Sequence, residues 1–527
     1  MPLPRIDLKQ LDLGLTTRWG PRDWDVRFPW WRRPAKVKVL MYADGGVHLD
    51  GGSFRGLQYV HQLMTSRAYS YVDFDVDFAH RDGTDPTATI PGAKKLTDLD
   101  ILNKYDEIFF FGAASSGDLD AAEHTLLEQF MAAPKFGGVL VTGDHANMGK
   151  RLAGQIKRAG PMRRYPAPPS SPPGWNTTLV EGPDANATFD FSEQSDDTPQ
   201  SLRYRRYGLN SIALLQRRHR PHPVLCGPDG PITVLADHQH EGEAMAPSVA
   251  PGDAAWPTKA GHQERPEVIA WGRIKDPAAT KHGEEIGVLS AYNGHNVDVG
   301  RILADSTWHH WFDINLTGDD PAPSVYAGFD ATPSGQAVLK QLDAFFLNVG
   351  VWLAPPARQT EMRNAAWWSI LWDSAVVELP EKAPMWFFGD QAIDALGRRA
   401  SRCTVSSWVL DLPIFKEKIP RWEWPQLFDR LSLVDIPFER YAAGGILQRL
   451  NKAFGPASGQ PFPQRAPELK DLDRELQAGV QDGLEHLAAD LRADTHLVSR
   501  LLDSGFDPRK VLTGNPESHG DCPGVRD

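Results

Sequence analysis

Four apolar runs of this chain each end in an aspartate: Asp44 after Tyr42-Ala43, Asp144 after Thr142-Gly143, Asp237 after Leu235-Ala236, and Asp305 after Leu303-Ala304. Histidine follows directly at His145 and His238, and the last run continues Ser306-Thr307-Trp308-His309-His310-Trp311-Phe312-Asp313. His48 lies in the loop that Asp44 opens. Carboxylates and imidazoles gathered in one place can share acid and base roles in hydrolysis or isomerisation, and the same set is able to hold a divalent metal. On residue type, Asp144, His145, His309 and His310 are the candidates for catalysis, with Asp144 orienting His145. Asp44, His48, Trp308 and Trp311 are the candidates for holding a small polar ligand. A plainer account exists for each: aspartate at a strand end caps the next turn or helix, and two indoles with two imidazoles make a buried anchor.

Three further patterns carry less. The loop from Asp44 to Ser53 holds Gly45, Gly46, Gly51 and Gly52 and would admit close backbone approach to a ligand, but it fits no phosphate-loop or dinucleotide fingerprint, and Asp44 and Asp50 repel a bare phosphate. Ser115-Ser116-Gly117 precedes a helix and offers backbone donors to an anion, or simply an N-terminal cap. Ser306, His309 and Asp313 make a nucleophile system on paper, although triad members normally meet through the fold and no GxSxG elbow is present.

The elements that must position these groups alternate. Val37–Ala43 reads as a strand running into Asp44, and a helical pattern follows over about 54–67. Tyr71 to Phe78 alternates Val72, Phe74, Val76 and Phe78 with Asp73, Asp75 and Asp77, the period of a half-exposed strand near a sheet edge. Glu107 to Gly112 is a nearly continuous apolar strand, 120–131 a helix with Asp120 and Glu123 spaced as a capping box, and 138–144 another buried strand. After a proline-rich stretch, further strands are expected at 232–236, 268–271, 286–290 and 301–304, and a helix over 335–353 closes the unit. Such alternation implies crossover connections and a parallel sheet covered on both faces, and ligands of open parallel sheets bind outside the carboxyl ends of the strands, where these acids would converge. Strand order is not readable from the pattern.

Residues 1–34 read as a Trp-, Arg- and Pro-rich arm, 35–355 as the α/β domain with an insertion at about 160–231, and 356–527 as a Trp-rich, mainly helical region. In that last region 455–467 is a linker and 469–502 a long helix that could serve a homo-oligomer or a protein partner. A chain of 527 residues exceeds what one hydrophobic core usually organises. Its net charge of −12 repels phosphate backbones and anionic lipid, so neither nucleic acid nor membrane is the expected partner. No stretch approaches the roughly 18–20 apolar residues of a membrane span. Cys226, Cys403 and Cys522 are far apart with no CxxC spacing, which argues against a disulfide framework or a zinc-thiolate site; a soluble protein of the reducing cytoplasm is expected.

At Gly138-Val139-Leu140-Val141-Thr142-Gly143-Asp144-His145-Ala146, and at Gly300-Arg301-Ile302-Leu303-Ala304-Asp305-Ser306-Thr307, the chain resembles the class I glutamine amidotransferase-like superfamily, nearest its ThuA-like branch. The resemblance spans about residues 36–353. It implies a flavodoxin-like, mostly parallel sheet with helices on both faces, and in the ThuA-like branch an association with sugar utilisation. The first stretch is similar to the strand and turn of the nucleophile elbow. This chain has Asp144-His145 there and no cysteine before Cys226, so thiolate glutaminase chemistry is not expected. Two functions follow. One is a hydrolase or isomerase for a carbohydrate-like small molecule, with Trp308 or Trp311 stacking on the sugar face. The other is a non-catalytic binding or scaffold protein on the same core, with the Trp-rich C-terminal region engaging a protein partner.

Overall fold

The computed structural model describes residues 34–50, 56–112, 118–142, 154–164, 199–208, 219–236, 243–273, 283–318, 328–371, 373, 376, 379, 383–410, 412, 438–455 and 468–504. The expected sites Asp144 and His145, together with Asp237, His238 and Ser115–Gly117, lie outside the described residues, as do the arm through residue 33 and much of the insertion.

A nine-stranded sheet organises the first half of the chain. Its strands are β1 (Ala35–Ala43), β2 (Val72–His80), β3 (Ile90–Ala93), β4 (Glu107–Phe111), β5 (Gly138–Thr142), β6 (Arg203–Tyr204), β7 (Glu267–Arg273), β8 (Glu285–Tyr292) and β9 (Ile302–Asp305). Across the sheet the order is β3-β2-β1-β4-β5-β9-β8-β7-β6. Every pairing from β3 to β9 is parallel, and β8, β7 and β6 add an antiparallel wing. Leaving aside the short edge strand β3, the parallel strands stand in the order 2-1-3-4-5 along the chain, the doubly wound order of flavodoxin-like sheets.

Hydrophobic patterning explains the layers. β4 and β5 are buried at every position, as strands covered on both faces must be, whereas β1 starts with exposed Lys36 and Lys38 and then sinks. On one face Val39, Met41, Phe109, Phe111, Leu140 and Leu303 pack with α1 (Gln58–Thr65) and α3 (Pro333–Leu353). On the other Leu40, Tyr42, Ile108, Phe110 and Val141 pack with α2 (Ala121–Met131) and the loop that carries Trp256. The Asp120–Glu123 capping box is present at the start of α2.

β2 stands next to the sheet edge, as its alternation suggested, with only the short β3 pairing beyond it, and its acids lie on a thinly covered outer part of the sheet. One expectation changes. The run at 232–236 forms only Val234–Ala236, which pairs with Pro199–Ser201 in a separate two-stranded ladder, so its end is not on the rim of the main sheet.

Beyond Pro355 the described residues are mainly helical: α4 (Pro356–Ile370), α5 (Met385–Gly397), α6 (Arg402–Leu410), α7 (Phe438–Phe454) and α8 (Leu469–Asp503). The core does not stop at the expected boundary. Trp367, Trp408, Ile446 and Leu476 belong to the same apolar cluster as Met41 and Phe109, the Trp408 ring meets Tyr71 edge-on at 5.1 Å, and Arg358 Nε reaches Asp106 Oδ2 at 3.2 Å. No helix among the described residues is long and apolar enough to cross a membrane.

Candidate functional site

At the carboxyl ends of the parallel strands, two groups of polar side chains form. The first joins β1 to β2. Asp44, 1% exposed, directs its N–H toward the Phe111 carbonyl at 3.4 Å, and the loop behind it returns through a bridge between His48 and Gly56. β2 ends at buried His80, whose ring stands 6.1 Å from that of His48 and nearly perpendicular to it. The Asp82 N–H donates to His80 Nδ1 at 3.2 Å, so the neutral ring carries its proton on Nε2, 3.5 Å from the Thr84 hydroxyl. Asp82 in turn accepts from the Gly45 N–H at 2.9 Å, and Thr84 donates to the Gly45 carbonyl at 3.0 Å. Burial holds the His80 pKa below its ordinary value despite the nearby charges of Asp82 and Asp85. For Asp85 burial acts the other way, but hydrogen bonds from Thr87 and from the Leu49 N–H outweigh it and keep the carboxyl below the usual range. The arrangement sets an imidazole biased toward its neutral form beside Asp85, a carboxyl biased toward its ionised form.

Next to it, Arg81 grips Glu123 with both arms at 2.7 and 3.0 Å and also donates to the Tyr42 hydroxyl and the Asp118 carbonyl. Burial would raise the Glu123 pKa, and the guanidinium together with the Asp120 and Leu96 N–H groups more than offsets it. This pair fixes the end of β2 to the first turn of α2.

The second group lies at the end of β9. His310 Nδ1 donates to Asp305 Oδ1 at 2.7 Å while the Trp311 indole N–H donates to Oδ2 at 2.9 Å; Asp305 and His310 are both 0% exposed. With the proton fixed on Nδ1, Nε2 is the nitrogen through which His310 can take up a proton, the tautomer that an orienting aspartate imposes in acid–base sites. Thr142 Oγ1 at the end of β5 and Ser306 Oγ just past β9 are buried hydroxyls with no hydrogen-bond partner among the described residues. Such groups are uncommon in folded proteins and mark a place where a further polar partner fits.

The neighbours of this dyad have other tasks. His309 is bonded through Nδ1 to Asn315 Oδ1 at 3.1 Å and lies against Trp308, ring centroids 3.8 Å apart. Asp313 accepts the N–H groups of Gln58 and Tyr59 at 3.0 and 2.9 Å, capping α1 from a distant part of the chain, and burial pushes its pKa up to about 6. Ser306, His309 and Asp313 are therefore not a triad; the dyad is Asp305 with His310. Trp308 and Trp311 also depart from expectation. At 1% and 0% exposed they present no face for a sugar, and Trp311 packs among Phe109, Phe111, Phe345 and Phe346.

The loops after β1 and β9 do meet, through Asp313 and residues 56–59, so Asp44, His48, His309 and His310 belong to one end of the sheet. Sequence reasoning missed His80, Asp82 and Asp85. Ending the alternating strand at Phe78 hid His80, although Ala79 continues the buried run and His80-Arg81-Asp82-Gly83 has the composition of a strand end followed by a turn. Among the described residues no group of three or more His, Cys, Asp and Glu side chains is arranged to hold a metal ion. No family model, no curated protein and no solved structure matches the chain.

Proposed function

We propose that this protein is an acid–base enzyme, a hydrolase or isomerase for a small polar and carbohydrate-like molecule, working at the carboxyl rim of its sheet with His310 as proton acceptor and donor. The observation that carries it is the 2.7 Å bond between His310 Nδ1 and Asp305 Oδ1 at the end of the last parallel strand. Asp305 would hold the tautomer and stabilise the imidazolium once Nε2 has accepted a proton; Trp311, donating to the second carboxylate oxygen, would keep the aspartate from turning. The Thr142 hydroxyl at the end of β5 and the Ser306 hydroxyl just past β9 would supply polar contacts to the substrate. The sugar class rests on the resemblance of 138–146 and 300–307 to the ThuA-like branch of the amidotransferase-like superfamily, with which the strand order is compatible. The absence of cysteine at the elbow directs the reading away from a thiolate nucleophile.

A non-catalytic scaffold is the rival, and one observation favours it: His309, His310, Trp308 and Trp311 are all buried, as a structural anchor would be. The two separate in one experiment. The purified chain is screened for hydrolysis and isomerisation of sugar lactones, phosphate-free sugars and their acyl derivatives, and His310→Gln is compared with the parent. The enzyme predicts a rate lowered by about 10²–10⁴-fold with cooperative unfolding retained. A variant that only melts earlier, with any turnover untouched, assigns His310 to the scaffold.

A further inference from the structure

On the opposite face of the sheet from the dyad, at the far end of β8, sits a cation with no counterion among the described residues. Arg158 is 6% exposed, and among those residues its guanidinium has one hydrogen-bond acceptor, the Ala255 carbonyl at 3.3 Å from Nη1, while the buried Nε has none. Its backbone is held at φ +69°, a left-handed conformation uncommon for residues other than glycine. Arg301, also buried, shows what a satisfied guanidinium looks like in this protein: it bonds the Asn293 side chain at 2.8 Å and the Trp352 carbonyl at 2.7 Å, and it lies over the Trp352 ring. Arg158 lacks comparable contacts, and a buried unpaired charge is among the most unfavourable features a fold can carry.

The surroundings combine apolar packing, from Ile156, Ala159 and Trp256, with a second unsatisfied polar group. Tyr292, 0% exposed, has a hydroxyl with no hydrogen-bond partner among the described residues, and it feels the charge of Arg158. Burial holds that phenol above its ordinary range, so it stays a donor. Trp256, which directly follows the Ala255 that Arg158 touches, meets the Tyr292 ring edge-on at 5.1 Å. Both acids whose charge reaches this corner are already engaged, Glu128 with Lys157 at 3.3 Å, and Glu264 with His262 and Asn296 at 2.8 and 2.7 Å.

We propose that Arg158 and Tyr292 form a binding site for the carboxylate of a small molecule, the guanidinium supplying charge and two donors and the phenol a third. A carboxylate matches the guanidinium fork, and its single charge suits a corner where Glu128 and Glu264 would repel a dianion. The site is separate from the rim dyad and does not depend on it.

Titration of the full chain with ¹³C-labelled acetate and, separately, with inorganic phosphate tests this by NMR and calorimetry. One saturable acetate site is expected, with phosphate at least tenfold weaker. Arg158→Met should weaken acetate at least tenfold, Tyr292→Phe should weaken it about three- to tenfold while keeping the ring, and His310→Gln should leave it unchanged. Absence of saturable acetate binding by the parent overturns the site. So does equal affinity in Tyr292→Phe, which removes one oxygen and preserves the packing, or loss of binding in His310→Gln, which would move the ligand to the rim. Phosphate binding as tight as acetate overturns the carboxylate assignment.

Discussion

At the carboxyl rim of the sheet, side chains do the joining: Arg81 to Glu123, Asp313 to the first turn of α1, Asp82 to the Gly45 backbone. Between α5, α7 and α8 side chains also reach across, Arg440 to Asp390, Arg449 to Asp482 and Tyr441 to Asp490, but the closest joining is done by their absence. A Cβ on Gly389 would strike the Arg440 carbonyl, one on Gly444 the Met385 carbonyl, one on Gly445 the Gly479 carbonyl, and one on Gly483 the Tyr441 carbonyl, so these helices meet backbone against backbone. The rim is held by directional, charge-assisted bonds whose strength responds to pH; the closest helix approaches are backbone contacts that respond to volume. The proposed chemistry lies in the first kind of region, where polar groups are held in fixed orientation.

The sharpest way to break this comparison is to remove charge from the rim. Glu123→Ala leaves Arg81 buried without its carboxylate, and a loss of about 4 kcal/mol is expected in denaturant unfolding. A loss below about 1 kcal/mol would show that the pair is dispensable and that apolar packing alone holds β2 to α2. For the helices the matching change is steric. Gly445→Ala adds one methyl where backbone already stands, and should cost roughly 3 kcal/mol with no dependence on pH between 4 and 8.

Asp313 sharpens the contrast through pH. Its folded value of about 6 lies above the ordinary 3.8, so the fold favours the protonated acid: that contribution is complete below about pH 3.8 and is lost as pH rises through 6. The difference amounts to about 3 kcal/mol at most, at 1.36 kcal/mol per pKa unit. Melting temperature measured from pH 3.5 to 7 should therefore carry a falling component that Asp313→Asn removes; an identical slope in the variant would show that Asp313 keeps an ordinary carboxyl pKa. The smallest effect concerns the start of α3, where the Thr332 hydroxyl accepts the Gly335 N–H at 3.0 Å. Thr332→Ala should cost about 1 kcal/mol by equilibrium unfolding, the usual value of one N-cap, in a helix that covers the sheet.

Much of the α/β half was legible because its signals are local. Burial on both faces writes itself as continuous apolar runs at β4 and β5, and Asp120 with Glu123 announces the start of α2 at a spacing that only a first helical turn explains. The site was legible only in part. Residue type pointed to Asp305 and His310, but nothing in Ser306 to Asp313 says that His310 rather than His309 takes the aspartate, or that both indoles turn inward. That choice follows from which face of β9 Asp305 leaves and from the Phe345 and Phe346 rings of α3 waiting there.

What the sequence determined by itself, then, is the alternation of elements and the kinds of groups at their ends, because periodicity and capping depend on neighbours within one or two turns. Tertiary structure alone decided the strand order and the pairing of Asp305 with His310. It also decided the capping of α1 by Asp313, the isolation of Arg158 and the backbone contact between α7 and α8. Each of these joins residues far apart in the chain, and their meeting depends on how sheet and helices stack rather than on any local preference of the residues involved.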